Sequence, residues 1–152
     1  MTKNGIFLTT LLIILAATYV CFFTDWFSKE TIRIIPQIRP GRASAIPHPS
    51  GTPNVSPVSF AFDGKYRLTE IKVVAAEDAA TNKYPNPLWH LISDSNSVPT
   101  KAIVYGFPIK GMKPALPRSR PQPLQPGVAY VMMVEAGKIK AQTNFHTIEA
   151  LQ

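Results

Sequence analysis

From Ile139 to His146 apolar and polar residues alternate strictly, with Ile139, Ala141, Thr143 and Phe145 on one face and Lys140, Gln142, Asn144 and His146 on the other. That period of two is the pattern of a strand buried on one side and wet on the other. The whole stretch from Leu124 to Thr147 reads as a hairpin: a Pro126-Gly127 corner, one strand, a turn at Ala136-Gly137 and a second strand. Pairing Val134 with Ile139 aligns Met132 with Ala141, Tyr130 with Thr143 and Val128 with Phe145. This register leaves a four-residue loop, Glu135 to Lys138, with Gly137 in the left-handed position and Glu135 near Lys138.

Further strands emerge from the same pattern. Val58, Phe60 and Phe62 alternate, Asp63-Gly64 signals a turn, and Tyr66 to Val74 makes the next strand. A three-residue loop that includes Lys65 keeps Phe62 opposite Tyr66 and Phe60 opposite Leu68, whereas a two-residue loop mixes apolar with charged positions. The phase change from Leu68 to Ile71 and Val73 predicts a bulge near Thr69 and Glu70. Ala75 to Asn86 is polar and reads as a loop whose Glu77-Asp78 pair is solvated. Pro87 to Ser93 is a strand with Trp89 and Leu91 on its core face, and His90 points away. Lys101 to Pro108 is another, with Ile103, Tyr105 and Phe107 on one face and Gly106 marking a bend or close approach.

Between the last two strand regions lies Ile109 to Gly127, a connection with five prolines and two arginines. An irregular stretch of this length is unusual in a compact domain and is often functional. Polyproline II geometry is expected for its PRSRPQP portion, which displays Arg118 and Arg120 to solvent. Arg118, Arg120, Pro121 and Pro123 are therefore the candidate partner-binding residues, set against a purely structural connection crossing one end of the domain.

The N-terminal region has a different character. No charge occurs from Asn4 to Thr24, and Ile6 to Phe23 is largely apolar, long enough as a helix to reach about 27 Å, close to the hydrocarbon thickness of a bilayer. Its length, and the distance to the one Ala-x-Ala match at Ala43-Ser44-Ala45, fit an uncleaved signal anchor. Tyr19, Trp26 and Phe27 suit the membrane interface. Thr31 to Ser56 then reads as a short edge strand or membrane-surface segment at Ile32, Ile34 and Ile35, followed by a Pro-rich tether. The expected organisation is a tail at 1–5, a transmembrane helix at 6–23 in contact with membrane lipid, a juxtamembrane tether at 24–56, a β-domain at 57–148 and a tail at 149–152. Basic residues after the span favour a cytoplasmic domain by the positive-inside count. The domain type favours the exterior, and an extracytoplasmic domain is the expectation.

Composition narrows the chemistry. Fifteen prolines in 152 residues are roughly twice the usual share, which disfavours long helices in the folded part. The net charge of +7 comes from scattered basic residues without aromatic interleaving, so no nucleic-acid partner is expected. Cys21 is the only cysteine and lies inside the apolar segment, which rules out an intrachain disulfide. His48, His90 and His146 are spread over a tether and two strands. No metal-ligand spacing, phosphate loop or nucleophile motif appears, so no catalytic, cofactor or metal residues are assigned. The Asn54-Val55-Ser56 glycosylation pattern is followed by Pro57.

Leu124-x-Pro126-Gly127-x-x-Tyr130 resembles the corner before the penultimate strand of fibronectin type III modules. The resemblance implies an all-β fold, a small antiparallel β-sandwich, with Leu124 plugging the end of the core and the Tyr130 hydroxyl bonded to backbone upstream. The long Pro-rich connection and the placement of Trp89 depart from the family pattern. A module of this kind implies a non-enzymatic role, binding another envelope protein or acting as a spacer. The alternative is a carbohydrate or cell-wall-polymer binder using Trp89, Tyr84 and Tyr105 with nearby basic residues.

Overall fold

The structure is a computed structural model in which residues 3–23, 31–40, 46, 55–94 and 97–150 are described. It divides into two compact units, 1–30 and 31–152. In the first, helix α1 runs Lys3–Phe23 over 21 residues. Its apolar residues favour a helix whose whole circumference is apolar, which is stable only where that surface is accommodated. The described apolar side chains of α1 lie exposed all round, Phe7 at 70% and Leu12 at 67% among them. Its threonine hydroxyls turn back onto the helix: Thr10 Oγ1 donates to the Ile6 carbonyl at 2.9 Å and Thr18 Oγ1 to that of Ile14 at 2.7 Å. Among the described residues no helix is long and apolar enough to cross a membrane.

The second unit is mostly strand. Strands β1 (Ile34–Ile38), β2 (Val58–Tyr66) and β5 (Thr100–Val104) form a three-stranded antiparallel sheet in the order β1-β2-β5. A five-stranded antiparallel sheet has the order β6-β4-β3-β7-β8 and contains β3 (Glu70–Ala75), β4 (Trp89–Ile92), β6 (Lys113–Pro114), β7 (Ala129–Ala136) and β8 (Ile139–His146). One hydrophobic core draws on both sheets. Phe60 from β2 meets Phe145 from β8 edge-on with ring centroids 5.0 Å apart, and Tyr130 from β7 stacks on Phe145 at 5.6 Å. The alternation read in β8 holds: Ile139, Ala141, Thr143 and Phe145 lie inward of the exposed Lys140, Gln142, Asn144 and His146.

Asp63-Gly64 does not turn the chain. β2 continues through it, and the pairing irregularity lies within β2, between Ala61 and Tyr66 against β5. Asp63 is held in place by its neighbours: its Oδ1 accepts from the Tyr66 hydroxyl at 2.9 Å and from the Arg33 amide at 3.3 Å. The next strand begins at Glu70, not Tyr66, and belongs to the other sheet. The phase change at Leu68 is therefore the crossing between sheets, not a bulge at Thr69-Glu70; Leu68 and Ile71 are both fully buried on the way. Ala75–Asn86 contains a short helix, α2 (Ala76–Thr81), where its polar composition predicts a loop. Asp78 organises the segment after this helix, accepting from the Asn86 amide at 2.7 Å and from the Asn82 side chain.

The fold also begins earlier than Pro57. β1 pairs with β2 from Ile34↔Phe62 to Ile38↔Val58, and Ile32 and Ile34 join the core. Pro36 is tolerated there because β1 is an edge strand with one side free of ladder bonds. At the other end Glu149 bridges Val55, and Ala150 is buried, so the last described residues pack onto the domain. Trp26, Phe27, Ala43 to Ala45, His48 and Asn54 lie outside the described residues.

The last hairpin is tighter than its sequence pattern predicts. Ala136 pairs with Ile139 and Val134 with Ala141, so the register differs by two residues and the loop is Gly137-Lys138. A two-residue loop starting at Ala136 would impose positive φ on alanine; starting one residue later, it places φ 62° on Gly137, which has no Cβ to clash. The shift pairs Tyr130 with Phe145 and Met132 with Thr143. Glu135 then meets Lys140 at 2.5 Å instead of Lys138.

Candidate partner-binding pocket

The candidate site is built where the Pro-rich connection folds back along β4. Pro114 pairs with Leu91 and Lys113 with Ile92, which gives the connection one short strand. Beyond it the Ala115 amide donates to the His90 carbonyl at 3.1 Å, and the Gln122 amide donates to the Leu88 carbonyl at 2.9 Å. From the core side the Tyr105 hydroxyl donates to the Gln122 carbonyl at 2.7 Å. Burial, with the nearby Tyr130 phenol adding to it, pushes Tyr105 well above the ordinary phenolic range, so it stays a neutral donor. The connection is thus pinned at both ends of its passage across β4.

Its far end is fixed at the Tyr130 corner. The Tyr130 hydroxyl accepts from the Gln125 amide at 2.9 Å, while the Thr147 hydroxyl donates to the Gln125 carbonyl. Leu124 is 3% exposed and enters the core beside them. Gln125 therefore has both backbone polar groups satisfied, as a chain entering a buried corner requires.

Between these anchors the chain turns back on itself. The Ser119 amide donates to the Leu116 carbonyl at 3.1 Å, and Arg118 has φ 65°. Pro117 followed by a residue of positive φ is the arrangement of a type II turn, whose third position usually takes glycine. An arginine there carries strain of about 1–2 kcal/mol. The expected polyproline II run is broken at this point, because Pro117 pre-sets the turn and φ 65° at Arg118 is far from the extended range near about −75°.

Under the turn lies a pocket of about 270 Å³. Trp89 and Leu88 from the β4 side, Phe107, Met112 and Leu116 line it, and Arg120 stands at its rim. Trp89 is 5% exposed and packs edge-on against Tyr105 at 5.3 Å, so it serves as floor. Phe107 and Leu116 are 50% and 66% exposed. Alternation predicts Phe107 on the core face with Ile103 and Tyr105. Gly106 instead takes φ 80°, which ends the alternation of β5 and turns Phe107 outward. The close approach expected at Gly106 is present: a Cβ there would lie 2.5 Å from Ile46 Cδ1.

Of the four residues read as partner-binding, Arg120 and Pro121 line the pocket. Arg118 is displayed at the tip of the turn, and Pro123 lies half-buried between the pocket and the corner. Among the described residues neither arginine makes an ion pair. Phe107, Met112 and Leu116 carry no signal of a site in the sequence; Gly106, marked as a bend, is the one feature pointing to Phe107.

No family model, curated protein or solved structure matches the chain.

Elsewhere the polar groups are engaged in structure. Glu70 and Glu135 stand directly opposite across β3 and β7. The repulsion is relieved outward: His90 Nε2 lies 2.8 Å from Glu70, and Lys140 takes Glu135. His90 thus has a partner that its own strand does not reveal. His146 is exposed on β8. Among the described residues no three of His, Cys, Asp and Glu come together as metal ligands. Of the three aromatics named for polymer binding, Trp89 and Tyr105 are buried, the latter at 4%. Tyr84 is 83% exposed, and Lys83 Nζ sits 5.6 Å from the centre of its ring.

Proposed function

We propose that this chain is a single-pass, membrane-anchored, non-catalytic β-sandwich of fibronectin type III-like build that binds another envelope protein on the outer side of the membrane. The observation that carries the binding reading is the pocket under the Arg118 turn. Apolar side chains stand exposed there beside arginines that make no ion pair among the described residues, on a connection fixed to the sheet by main-chain bonds. Rigid, exposed apolar groups ringed by polar ones are the usual make-up of a protein-binding patch.

The fold reading is supported by the first, second and fifth strands sharing one sheet while the third, fourth, seventh and eighth share the other. The buried Leu124 and the Tyr130–Gln125 bond support it further. Anchoring through residues 6–23 is supported by the charge-free apolar run and by threonine hydroxyls satisfied within α1, as hydrocarbon surroundings demand. The polymer-binding alternative has less behind it, since two of its three aromatics are in the core and the third has a lysine over its ring.

Site-specific photocrosslinking in native membranes tests the reading. With a photoreactive residue at Leu116 of the full chain, one discrete protein adduct is expected. The same group at Gln142, on the opposite edge of the five-stranded sheet, is expected to give none. Equal labelling from both positions, or none from Leu116, would count against this face as the interface.

A further inference from the structure

We infer that the pocket takes an acidic-apolar peptide segment of the partner protein, with one bulky apolar side chain seated over Trp89 and an adjoining carboxylate held by Arg120. This rests on the pocket being the partner face and adds the chemistry of the segment that enters it.

Size is the first argument. At about 270 Å³ the pocket lies at the small end of the roughly 300–1,000 Å³ range of ligand sites, and one or two side chains would fill it. Phe107 and Leu116, half or more exposed on either side, provide walls for an apolar group that enters from outside. Burial of such a group removes their own surface from water as well.

Charge is the second. No acidic residue lines the pocket. Carboxylates that touch neighbouring residues are engaged within the chain: Glu70 with His90 at 2.8 Å, Asp94 with Lys113 at 3.0 Å, and Asp78 with the Asn86 amide at 2.7 Å. Arg120 at the rim and Arg118 at the turn make no ion pair among the described residues. A guanidinium presents a planar fork that matches a carboxylate with two parallel bonds.

Main-chain chemistry supplies the third argument. A peptide adding as a strand needs an open edge beside β4. That edge is covered, since the connection already uses the carbonyls of Leu88 and His90, and Tyr105 uses that of Gln122. Recognition therefore falls to side chains: an apolar anchor and a charge beside it.

The test is fluorescence anisotropy on the full chain in detergent micelles. The probe is a fluorescein-labelled peptide with a central phenylalanine flanked by glutamates. Comparators are the same peptide with glutamines for the glutamates, one with alanine for the phenylalanine, and a labelled oligothymidylate. Saturable binding of the first probe is expected, with each altered peptide at least about tenfold weaker, a factor that corresponds to about 1.4 kcal/mol. Arg120→Gln should abolish the preference for glutamate over glutamine. Leu116→Ala should weaken both phenylalanine peptides while leaving that preference in place. Both side chains are exposed, so neither change threatens the fold.

Equal binding of the glutamate and glutamine peptides, an unchanged preference in Arg120→Gln, tighter binding of the oligothymidylate, or no peptide binding would each overturn the assignment. The two levels separate cleanly. If no peptide binds but Leu116 still crosslinks in membranes, the ligand class fails and the interface stands. If Leu116 gives no adduct, the interface itself fails.

Discussion

Replacing Phe60 with alanine is expected to destabilise the β-domain by about 3–5 kcal/mol. Phe60 is fully buried near the start of β2 and meets Phe145 of the opposite sheet at 5.0 Å. It is thus a ring through which the two sheets touch. Its removal loses the transfer energy of a large side chain and an aromatic pair, and leaves a cavity that a close-packed core fills only by distorting its strands. Against a total stability of about 5–15 kcal/mol for a domain of this kind, the loss is a large share. Urea titration of the detergent-solubilised full chain, monitored by tryptophan fluorescence, should show the midpoint displaced accordingly. A shift worth under about 1 kcal/mol, well short of the usual cost of a buried Phe→Ala change, would mean that the sheets do not share this core.

Leu124→Ala should cost about 2–5 kcal/mol, with a second consequence that a purely central substitution lacks. Leu124 is the point at which the Pro-rich connection enters the core, next to the Tyr130–Gln125 and Thr147–Gln125 bonds. With the plug gone, the connection loses its far anchor. Hydrogen exchange should accelerate at the Ala115 and Gln122 amides, which bond to the β4 side. Tyr130→Phe provides the comparison: it removes only the acceptor for the Gln125 amide and should cost about 1 kcal/mol. Leu124→Ala with unchanged exchange at Ala115 and Gln122 would show that the connection is held by β4 alone.

Which parts of this arrangement the sequence reveals depends on the physical property behind each signal. Alternation reports which face a residue occupies, and for β8 and for Trp89 and Leu91 in β4 it reports correctly. It does not report which sheet a strand joins. Val58, Phe60 and Phe62 are in phase with one another, and so are Ile71 and Val73, whether the chain turns at Asp63-Gly64 or crosses between sheets at Leu68. The deciding contacts, Asp63 with Tyr66 and with the Arg33 amide, include one from a distant part of the chain. The last hairpin illustrates another limit. A two-residue change of register keeps every side chain on its face, so only the position of Gly137 within the loop distinguishes the alternatives.

The candidate site divides the same way. Arg118, Arg120 and Pro121 stand out by composition alone, because an irregular stretch so rich in proline is rare. The pocket beside them depends on folding the connection back over β4, and on Gly106 turning Phe107 from the core to the surface. Both are tertiary events. The sequence marks Gly106 as unusual, but it shows neither the φ of 80° that redirects Phe107 nor the close approach of Ile46 and Pro121 to that glycine.

Display of the β-domain outside the membrane, on which the choice of partner depends, is tested most directly by fusing alkaline phosphatase after Gln152 and expressing the full chain in its native host. The enzyme folds to its active form only on the outer side. An active, membrane-bound fusion is the predicted result, with the basic residues that come after the span outside despite their number. An inactive fusion would place the domain in the cytoplasm and contradict an envelope protein as its partner.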